Sequence, residues 1–250
     1  MSQSLKKKRF KTIIILFTIS FILFALLFCV YAKIIKINTI LASQYEVQGI
    51  DVSHYQGEID WKKIESQNID FVFIKATEGS GMVDDAFKYN WDNVSKTSIL
   101  SGAYHFFSFE SSPETQAQLY IDTVGDMKGR LPPVIDVEYY GDTQKNLPEK
   151  KDLINNLHKL LTVLEDEYKI KPIIYTTYSV YNEYLKDNFY DYPLWIRNIY
   201  YKPGIIIGRK WTFWQFSDTE KLDGYSGEEE FIDKNVFDGT IDELRQLTVK

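Results

Sequence analysis

Residues 132–138 read PPVIDVE, a short apolar run that ends in two acidic residues. Its β-branched residues are typical of a buried strand, and the two prolines mark where that strand begins. Successive side chains of a strand alternate between its faces, so Asp136 and Glu138 point the same way, about 6.6 Å apart along the chain. A solvent-exposed edge strand is the alternative, but the prolines and the apolar residues favour a central strand whose end opens into a cleft.

Seven similar runs lie along the chain, separated by longer polar stretches of helical period. The eight candidate strands lie near residues 47–52, 70–76, 101–107, 133–138, 172–176, 193–197, 211–216 and 230–233. The helix candidates are residues 61–67, 84–95, 113–123, 149–168 and 178–185. This alternation is the pattern of βα units around a parallel sheet. Because residues 201–208 and 218–229 lack a clear helix, the predicted fold is an α/β barrel of the TIM type with an irregular second half.

Polar and aromatic side chains lie at the ends of these strands, where βα barrels carry their working groups. In strand order they are Asp51, Lys75 with Glu78, Tyr104 with His105 and Phe106, Asp136 with Glu138, Tyr175, Trp195, Gln215 and Asp233. If the barrel closes, its first and last strands are neighbours, which would bring Asp51 and Asp233 to the same end as Asp136 and Glu138. Taken singly, Asp51 and Asp233 are also explained as caps of the turns that follow them.

The paired acids of residues 132–138 suggest a particular chemistry. Burying two like charges on one strand is costly unless one of the groups stays protonated. Hydrolysis of a glycosidic bond needs such a pair, because a carboxylic acid with a raised pKa protonates the leaving oxygen while a carboxylate stabilises or attacks the developing positive charge. Asp136 and Glu138 are therefore the candidate catalytic pair, and Asp51 and Asp233 are the candidate acids beside them.

Thiol, metal and phosphate chemistry find no support in the sequence. The single cysteine, Cys29, lies in an apolar N-terminal run, and His54, His105 and His158 have no spacing with acids that makes a zinc motif. Residues 224–227, GYSG, do not match the nucleophile elbow Gly-x-Ser-x-Gly, and no glycine-rich phosphate loop is present. We therefore expect no metal and no cofactor.

The N-terminus carries a membrane signal. Five basic residues precede an uncharged stretch from Thr12 to Ala32, and its 21 residues are enough to span a bilayer as a helix. Only Lys33 and Lys36 follow closely, so the positive-inside rule leaves the N-terminus in the cytoplasm. The predicted division is a cytoplasmic segment (1–11), a transmembrane signal anchor (12–32), a linker (33–46) and an extracellular catalytic domain (47–250). A signal peptide cleaved after the small-residue site Val30-Tyr31-Ala32 is the alternative.

The chain beyond the anchor is strongly acidic. Residues 1–45 hold 7 of the 29 basic residues and none of the 35 acidic ones, which leaves the remainder with a formal charge of −13. Because no basic stripe offers phosphate contacts, we expect no nucleic-acid partner. No repeated segment of 20 to 50 residues is present, so a separate array of wall-binding repeats is not expected.

Eight ordered segments of the chain resemble glycoside hydrolase family 25, the Chalaropsis-type lysozymes or N-acetylmuramidases. They begin at Gly49 (GIDVSHYQGEIDW), Phe71 (FVFIKATEG), Gly102 (GAYHFF), Pro132 (PPVIDVE), Ile173 (IIYTT), Pro193 (PLWI), Phe213 (FWQFS) and Ile232 (IDKNVFDG). The resemblance implies a flattened, incomplete βα barrel that hydrolyses the β-1,4 bond from N-acetylmuramic acid to N-acetylglucosamine in bacterial peptidoglycan. It also implies that Glu138 is the proton donor, that Asp136 is its partner, and that Asp51 and Asp233 are the remaining acids of the cleft.

The resemblance also suggests which side chains bind the substrate. The expected set is Tyr104, Tyr175 and Trp195, which would present ring faces to sugars, Gln215, which would hydrogen-bond a hydroxyl or acetamido group, and Glu78 and Phe106. Arg197 departs from the family, which usually has a small residue after Trp195-Ile196. We expect Arg197 either to reshape a sugar subsite or to pair with an acid of the cleft.

Two other functions are compatible with the sequence. A non-catalytic glycan-binding protein would use the same fold without turnover, since a fold does not imply an activity. A hydrolase of chitin-like polymers would use the same groups on a different glycan. For the enzyme itself, attack by the substrate's own N-acetyl group and direct attack by a carboxylate are both open. The anchor favours local remodelling of the producing cell's own wall, for growth, secretion or passage of a transfer apparatus.

Overall fold

The computed structural model describes residues 3–32, 36–143, 145–147, 149–204 and 208–250. The strands are β1 (Val47–Val52), β2 (Phe71–Glu78), β3 (Met82–Val83), β4 (Leu100–Phe106), β5 (Val134–Val137), β6 (Ile173–Thr177), β7 (Leu194–Arg197), β8 (Phe213–Glu220) and β9 (Ile232–Phe237). The helices are α1 (Gln3–Tyr31), α2 (Ile37–Ala42), α3 (Trp61–Glu65), α4 (Phe87–Val94), α5 (Pro113–Val124), α6 (Lys150–Tyr168), α7 (Tyr178–Val180) and α8 (Ile241–Gln246). A 3₁₀ turn covers His54–Gln56, and a π-turn over Tyr181–Leu185 continues α7.

Eight strands close into a barrel in the order β1-β9-β8-β7-β6-β5-β4-β2, because β1 also pairs with β2. Neighbouring strands are parallel except around β9, which runs antiparallel to both β1 and β8. All eight predicted strands belong to this barrel, which confirms the predicted α/β barrel. The short β3 lies outside it, paired only with β2. The sheet itself is closed, so the incompleteness that the resemblance implies lies in the helical layer: the described residues contain no helix between β7 and β9.

The interior of the barrel is filled by large aromatic side chains that face glycines on neighbouring strands. Phe71 and Phe73 of β2 are fully buried, and their register partners are Gly49 on β1 and Gly102 on β4. A Cβ atom placed on Gly102 would lie 2.7 Å from the Phe73 ring. Such pairing of small with large residues lets the interior of a narrow barrel be filled by side chains.

The segment predicted as a linker contains α2, and this helix packs against the barrel. Ala42 is 1% exposed, and Asn38 is buried with its amide bonded to backbone carbonyls of the domain. Six residues are too few for hydrophobic periodicity to reveal a helix, which explains why the sequence did not predict it. The domain boundaries at residues 11, 32 and 46 stay predictions.

The N-terminal helix α1 is long and apolar enough to cross a membrane. The candidate span, Lys7–Tyr31, has 25 residues; its most apolar stretch of 18 residues has a mean hydropathy of 3.1 and is not buried against the domain. By its length, composition and N-terminal position, α1 is a candidate for a membrane anchor or a signal sequence.

Candidate active site

The four predicted acids meet at one end of the barrel. Asp51 on β1 and Asp233 on β9 are direct register partners, as their positions on adjacent strands require. Asp136 is the third residue of the four-residue β5, and Glu138 follows its last residue. All four line a single cavity of about 240 Å³. The other residues lining it are Val52, Ser53, Tyr55, Gln56, Lys75, Tyr104, Phe106, Tyr175, Trp195 and Glu229.

Two amide side chains hold Asp51 in place. Asn235 Nδ2 donates to its Oδ2 atom over 2.7 Å, and Gln215 Nε2 donates to the same atom over 2.9 Å. Each amide is oriented in turn, because Asn235 Oδ1 accepts from Trp195 Nε1 at 2.8 Å and Gln215 Oε1 accepts from the Tyr175 hydroxyl at 2.9 Å. Gln215 Nε2 also lies 3.2 Å from Asp233 Oδ2, so this amide links the two carboxyls. Asp51 is therefore a rigidly held acceptor.

Burial raises the pKa of all four carboxyls, but their surroundings separate them. Burial and repulsion from neighbouring carboxylates raise the pKa of Asp136 and of Asp233 well above the usual range. The pKa of Asp51 is also raised by burial, but the hydrogen bonds from Asn235 and Gln215 act against the rise. For Glu138, burial raises the pKa and the positive charge of Arg197 opposes the increase. Four acids this close cannot all ionise, and Asp51 is the one best stabilised as an anion.

One oxygen of Asp136 is buried and has no hydrogen-bond partner among the described residues. Asp136 is 7% exposed, and its Oδ1 atom is buried with no hydrogen bond from any described residue. A buried acceptor left unsatisfied costs free energy, of the order of 1–3 kcal/mol, which a ligand that donates to it recovers. Asp136 also lines the cavity, so its carboxyl retains unused hydrogen-bonding capacity next to the space that a substrate would fill.

Two cations border the acids. Lys75 Nζ lies 2.6 Å from Glu78 Oε2 and 5.3 Å from the centre of the Phe106 ring, and its charge opposes the rise in the pKa of Asp136. Arg197, the departure from the family pattern, donates through Nη2 to Asp218 Oδ2 at 2.9 Å. Arg197 therefore pairs with an acid that does not line the cavity, and its positive charge lowers the pKa of Glu138 and of Asp233.

The predicted substrate-binding residues fall into two groups. Tyr104, Tyr175, Trp195 and Phe106 line the cavity. Trp195 is 2% exposed and lies within 4.7 Å of the Phe73 ring centre, so it forms the floor of the cavity. Gln215 is 1% exposed and its amide is fully used by Tyr175, Asp51 and Asp233, while Glu78 is paired with Lys75. Gln215 therefore orients the carboxyls of Asp51 and Asp233, and Glu78 orients the ammonium group of Lys75.

Asn235, Tyr55 and Glu229 are among the residues of the site that the sequence did not single out. Asn235 lies two positions after Asp233, and the same alternation that pairs Asp136 with Glu138 would have placed it on the inner face. Tyr55 is 50% exposed at the mouth of the cleft, and its ring lies 4.1 Å from that of His54. Glu229 joins the cavity from the loop before β9, and no local pattern in the sequence marks it.

We expect replacement of Arg197 by Met to move the alkaline limb of the activity profile to higher pH. Arg197 lowers the pKa of Glu138, so its removal raises that pKa, and a general acid works only while protonated. The measurement is kcat/KM on soluble glycan fragments between about pH 4 and 9. Arg245→Met, which breaks an exposed ion pair with Asp242 on α8, is the matched control. An alkaline limb that does not move, or that moves to lower pH, would contradict the prediction that Glu138 is the general acid.

Comparison with known proteins places these features in a family. A family model described as glycosyl hydrolases family 25 matches residues 50–225. Among curated proteins, YegX of Escherichia coli K12 is 37% identical over 210 residues, covering 82% of this chain and 74% of YegX. Lysozyme M1 of Streptomyces globisporus is 34% identical over 221 residues, covering 80% of this chain and 71% of that lysozyme. A solved family 25 glycosyl hydrolase from Bacillus anthracis superposes with a TM-score of 0.78 at 47% identity, over 82% of this chain and 94% of that one.

Proposed function

The chain belongs to glycosyl hydrolases family 25 and is a lysozyme-type hydrolase of peptidoglycan, and from that premise we propose that Glu138 is its general acid and Asp136 the carboxyl that steers the substrate. The observation that carries the proposal is the meeting of four carboxyls with different surroundings in one cavity. Pairs of acids whose environments push their pKa values apart are the usual acid and base of a glycosidase. A protein that only binds glycan has no need of such a cluster, which is costly to bury.

The first step breaks the β-1,4 bond between N-acetylmuramic acid and N-acetylglucosamine. Glu138 donates its proton to the bridging oxygen, which leaves as the hydroxyl of N-acetylglucosamine. The acetamido N–H of the N-acetylmuramic acid donates to the carboxylate of Asp136, which lines the cavity. That hydrogen bond orients the acetamido carbonyl oxygen toward C1, where it forms a new C–O bond and gives an oxazolinium ion. Asp136 stabilises its positive charge.

Substrate binding also sets the protonation of the pair. In the free cleft the pKa of Asp136 is raised well above its usual range, partly by the Glu138 charge, so the two groups compete for one proton. A donor placed on the Asp136 carboxyl favours its ionised form. The proton then belongs to Glu138, which is the state the first step needs. In the second step Glu138 takes a proton from water, which attacks C1 and restores the acetamido group.

A muropeptide assay tests the function and the bond. The fragment should begin at residue 36, because α2 packs on the barrel. We expect wild-type protein to release fragments from purified peptidoglycan whose new reducing ends, reduced with borohydride and identified by mass spectrometry, are N-acetylmuramic acid. Reducing ends on N-acetylglucosamine would contradict the proposed bond. Faster cleavage of chitooligosaccharides than of peptidoglycan would favour the chitin-like alternative.

The same proposal includes the location of the enzyme. A retained α1 would leave residues 1–11 in the cytoplasm, span the membrane with residues 12–32 and hold the catalytic domain outside the cell, next to the wall of the producing cell. The basic residues before the apolar stretch and the length of α1 support it. Cell fractionation should find the full-length chain in the membrane; a shortened chain free in the medium would identify a cleaved signal instead.

A further inference from the structure

The segment between α1 and β1 runs along the outside of the barrel before the chain enters β1. It first meets the outer wall beside the end of β8, where Lys36 Nζ donates to the Thr219 carbonyl at 2.8 Å and to Glu220 Oε1 at 3.1 Å. Two residues later, Asn38 Nδ2 donates to the carbonyls of Asn198 and Phe216 at 2.8 and 3.2 Å. Asn38 is 4% exposed, so these bonds lock α2 to the ends of β7 and β8.

The segment then descends to the opposite end of the barrel. The ring of Tyr45 lies 5.4 Å from that of Trp211 and 6.3 Å from that of Trp214, where β8 begins. From there β1 starts at Val47 and runs back toward the acids. The segment therefore packs on the outer wall beside β8, where the described residues between β7 and β8 form no helix.

The end at which Lys36 docks is the catalytic end. Asp218 lies two residues before Glu220 on β8, and its carboxylate binds Arg197, whose charge acts on Glu138 and Asp233. Two residues of a strand cover about 6.6 Å. Val30, near the end of α1, lines a small cavity together with Lys36 and residues 216–219 of β8, so the apolar helix ends beside this same rim.

This route sets how far the cleft lies from the bilayer. Only residues 33–35 separate Ala32 from Lys36, and a fully extended chain covers at most about 14 Å over those steps. If the segment were not docked, the anchor would join the domain at Val47, at the end of the barrel away from the acids. The length of β1 makes the two ends about 20 Å apart.

We propose that the docked segment 36–45 is a strap that turns the catalytic end of the barrel toward the membrane, so that the cleft acts on glycan strands lying at the outer surface of the bilayer. This inference rests on the proposed retention of α1 in the membrane. The domain carries a charge of −13, which an anionic leaflet repels, so the strap and not attraction to lipid headgroups sets the orientation. The substrate is then glycan still held close to the membrane, in preference to glycan deep in the mature wall.

Fluorescence transfer to the bilayer surface tests the orientation on the full-length chain. Cys29 is replaced by Ser, and a single cysteine is introduced by Glu228→Cys in the loop beside the cleft or by Lys128→Cys before β5 at the opposite end; both positions are exposed. The proteins are reconstituted in vesicles of phosphatidylethanolamine and phosphatidylglycerol with an acceptor on the lipid headgroups, and the donor dye is added from outside. We expect more efficient transfer from position 228 than from 128. Equal or reversed efficiencies overturn the proposal.

The strap itself is tested by removing its bonds. Lys36→Ala with Asn38→Ala should reduce the difference between the two labels, whereas Gln44→Ala, which removes only a bond to the carbonyl of Leu41 within the segment, should preserve it. A difference that survives the double substitution would overturn the role of the strap. The fluorescence readout needs no turnover, so it is independent of catalysis. A protein that hydrolyses peptidoglycan but shows equal transfer from the two labelled positions refutes the orientation alone. If the protein isolated from the membrane lacks α1, the proposed anchoring and this inference are both refuted.

Discussion

Replacement of Glu138 by Gln will lower kcat on peptidoglycan by about 10²- to 10⁴-fold, the contribution of a well-placed general acid. Gln has nearly the shape of Glu and keeps a polar group in the cavity, but it has no acidic proton to give to the leaving oxygen. The expected loss is in kcat, because the change removes an interaction that matters in the transition state more than in the bound substrate. Rates from muropeptide release and affinity for a glycan fragment, measured on the same preparation, check both parts.

A matched substitution separates the role of Glu138 from a general effect of charge. Glu110→Gln removes an exposed carboxyl from the loop after β4, at the same end of the barrel but outside the cavity. We expect Glu110→Gln to keep the wild-type rate within a factor of two or so, as surface changes usually do. If Glu138→Gln retained more than about a tenth of wild-type activity, Glu138 would not be the general acid.

The inactive variant should also be the more stable protein. Burial raises the pKa of Glu138 in the folded state, so the folded protein binds this proton more tightly than the unfolded chain does. Its contribution to stability is complete below the unfolded pKa and is lost as the pH rises through the folded value. At neutral pH, Glu138→Gln should therefore increase the free energy of unfolding, by about 0.5–2 kcal/mol. A Tm below that of the wild type would contradict this and point to misfolding as the reason for inactivity.

The sequence predicts the barrel well because the barrel is encoded locally. Each strand is a short β-branched or aromatic run, and each of the four acids lies where its strand meets the open end, so the rule for βα barrels places Asp51, Asp136, Glu138 and Asp233 together. The structure brings these four residues into one cavity. The last two strands were less well predicted: β8 extends to Glu220 and β9 to Phe237, beyond the predicted ends at residues 216 and 233, because polar residues at 217–220 and 234–235 interrupt the apolar pattern.

The roles of the amides could not be predicted in the same way. Gln215 stands at a strand end like the sugar-binding candidates, but its function follows from partners 18, 40 and 164 residues away in sequence. Such contacts depend on the register between strands, which single-strand patterns do not specify. The docking of α2 has the same origin, because Asn38 binds backbone carbonyls of Asn198 and Phe216 that no side-chain pattern reveals.

Replacement of Asp136 by Asn will lower kcat by about 10²- to 10³-fold, the loss typical of a removed electrostatic stabiliser. Asn keeps an oxygen that accepts the acetamido N–H, but it lacks the negative charge that stabilises the oxazolinium ion. A thiazoline analogue of that bicyclic ion distinguishes the two mechanisms. If the substrate's own acetamido group attacks, the analogue binds tightly to wild type and to Glu138→Gln and much more weakly to Asp136→Asn, and the first sugar product retains the β configuration by NMR.

Direct attack by a carboxylate predicts the opposite result for binding of the thiazoline analogue to Asp136→Asn. The analogue would then bind Asp136→Asn and wild type equally, and a smaller residue at the nucleophile would allow added azide to restore turnover as a glycosyl azide. Asp51→Gly is the second position to examine with azide, because Asp51 is the carboxyl best stabilised as an anion. Asp136 lies two residues before Glu138 on the same face of the chain and lines the same cavity, which suits a carboxyl that orients the acetamido group of the sugar whose bond Glu138 protonates, so we favour the acetamido route. Rescue by azide at either position, with inversion at C1 in the azide product relative to the substrate, would overturn it.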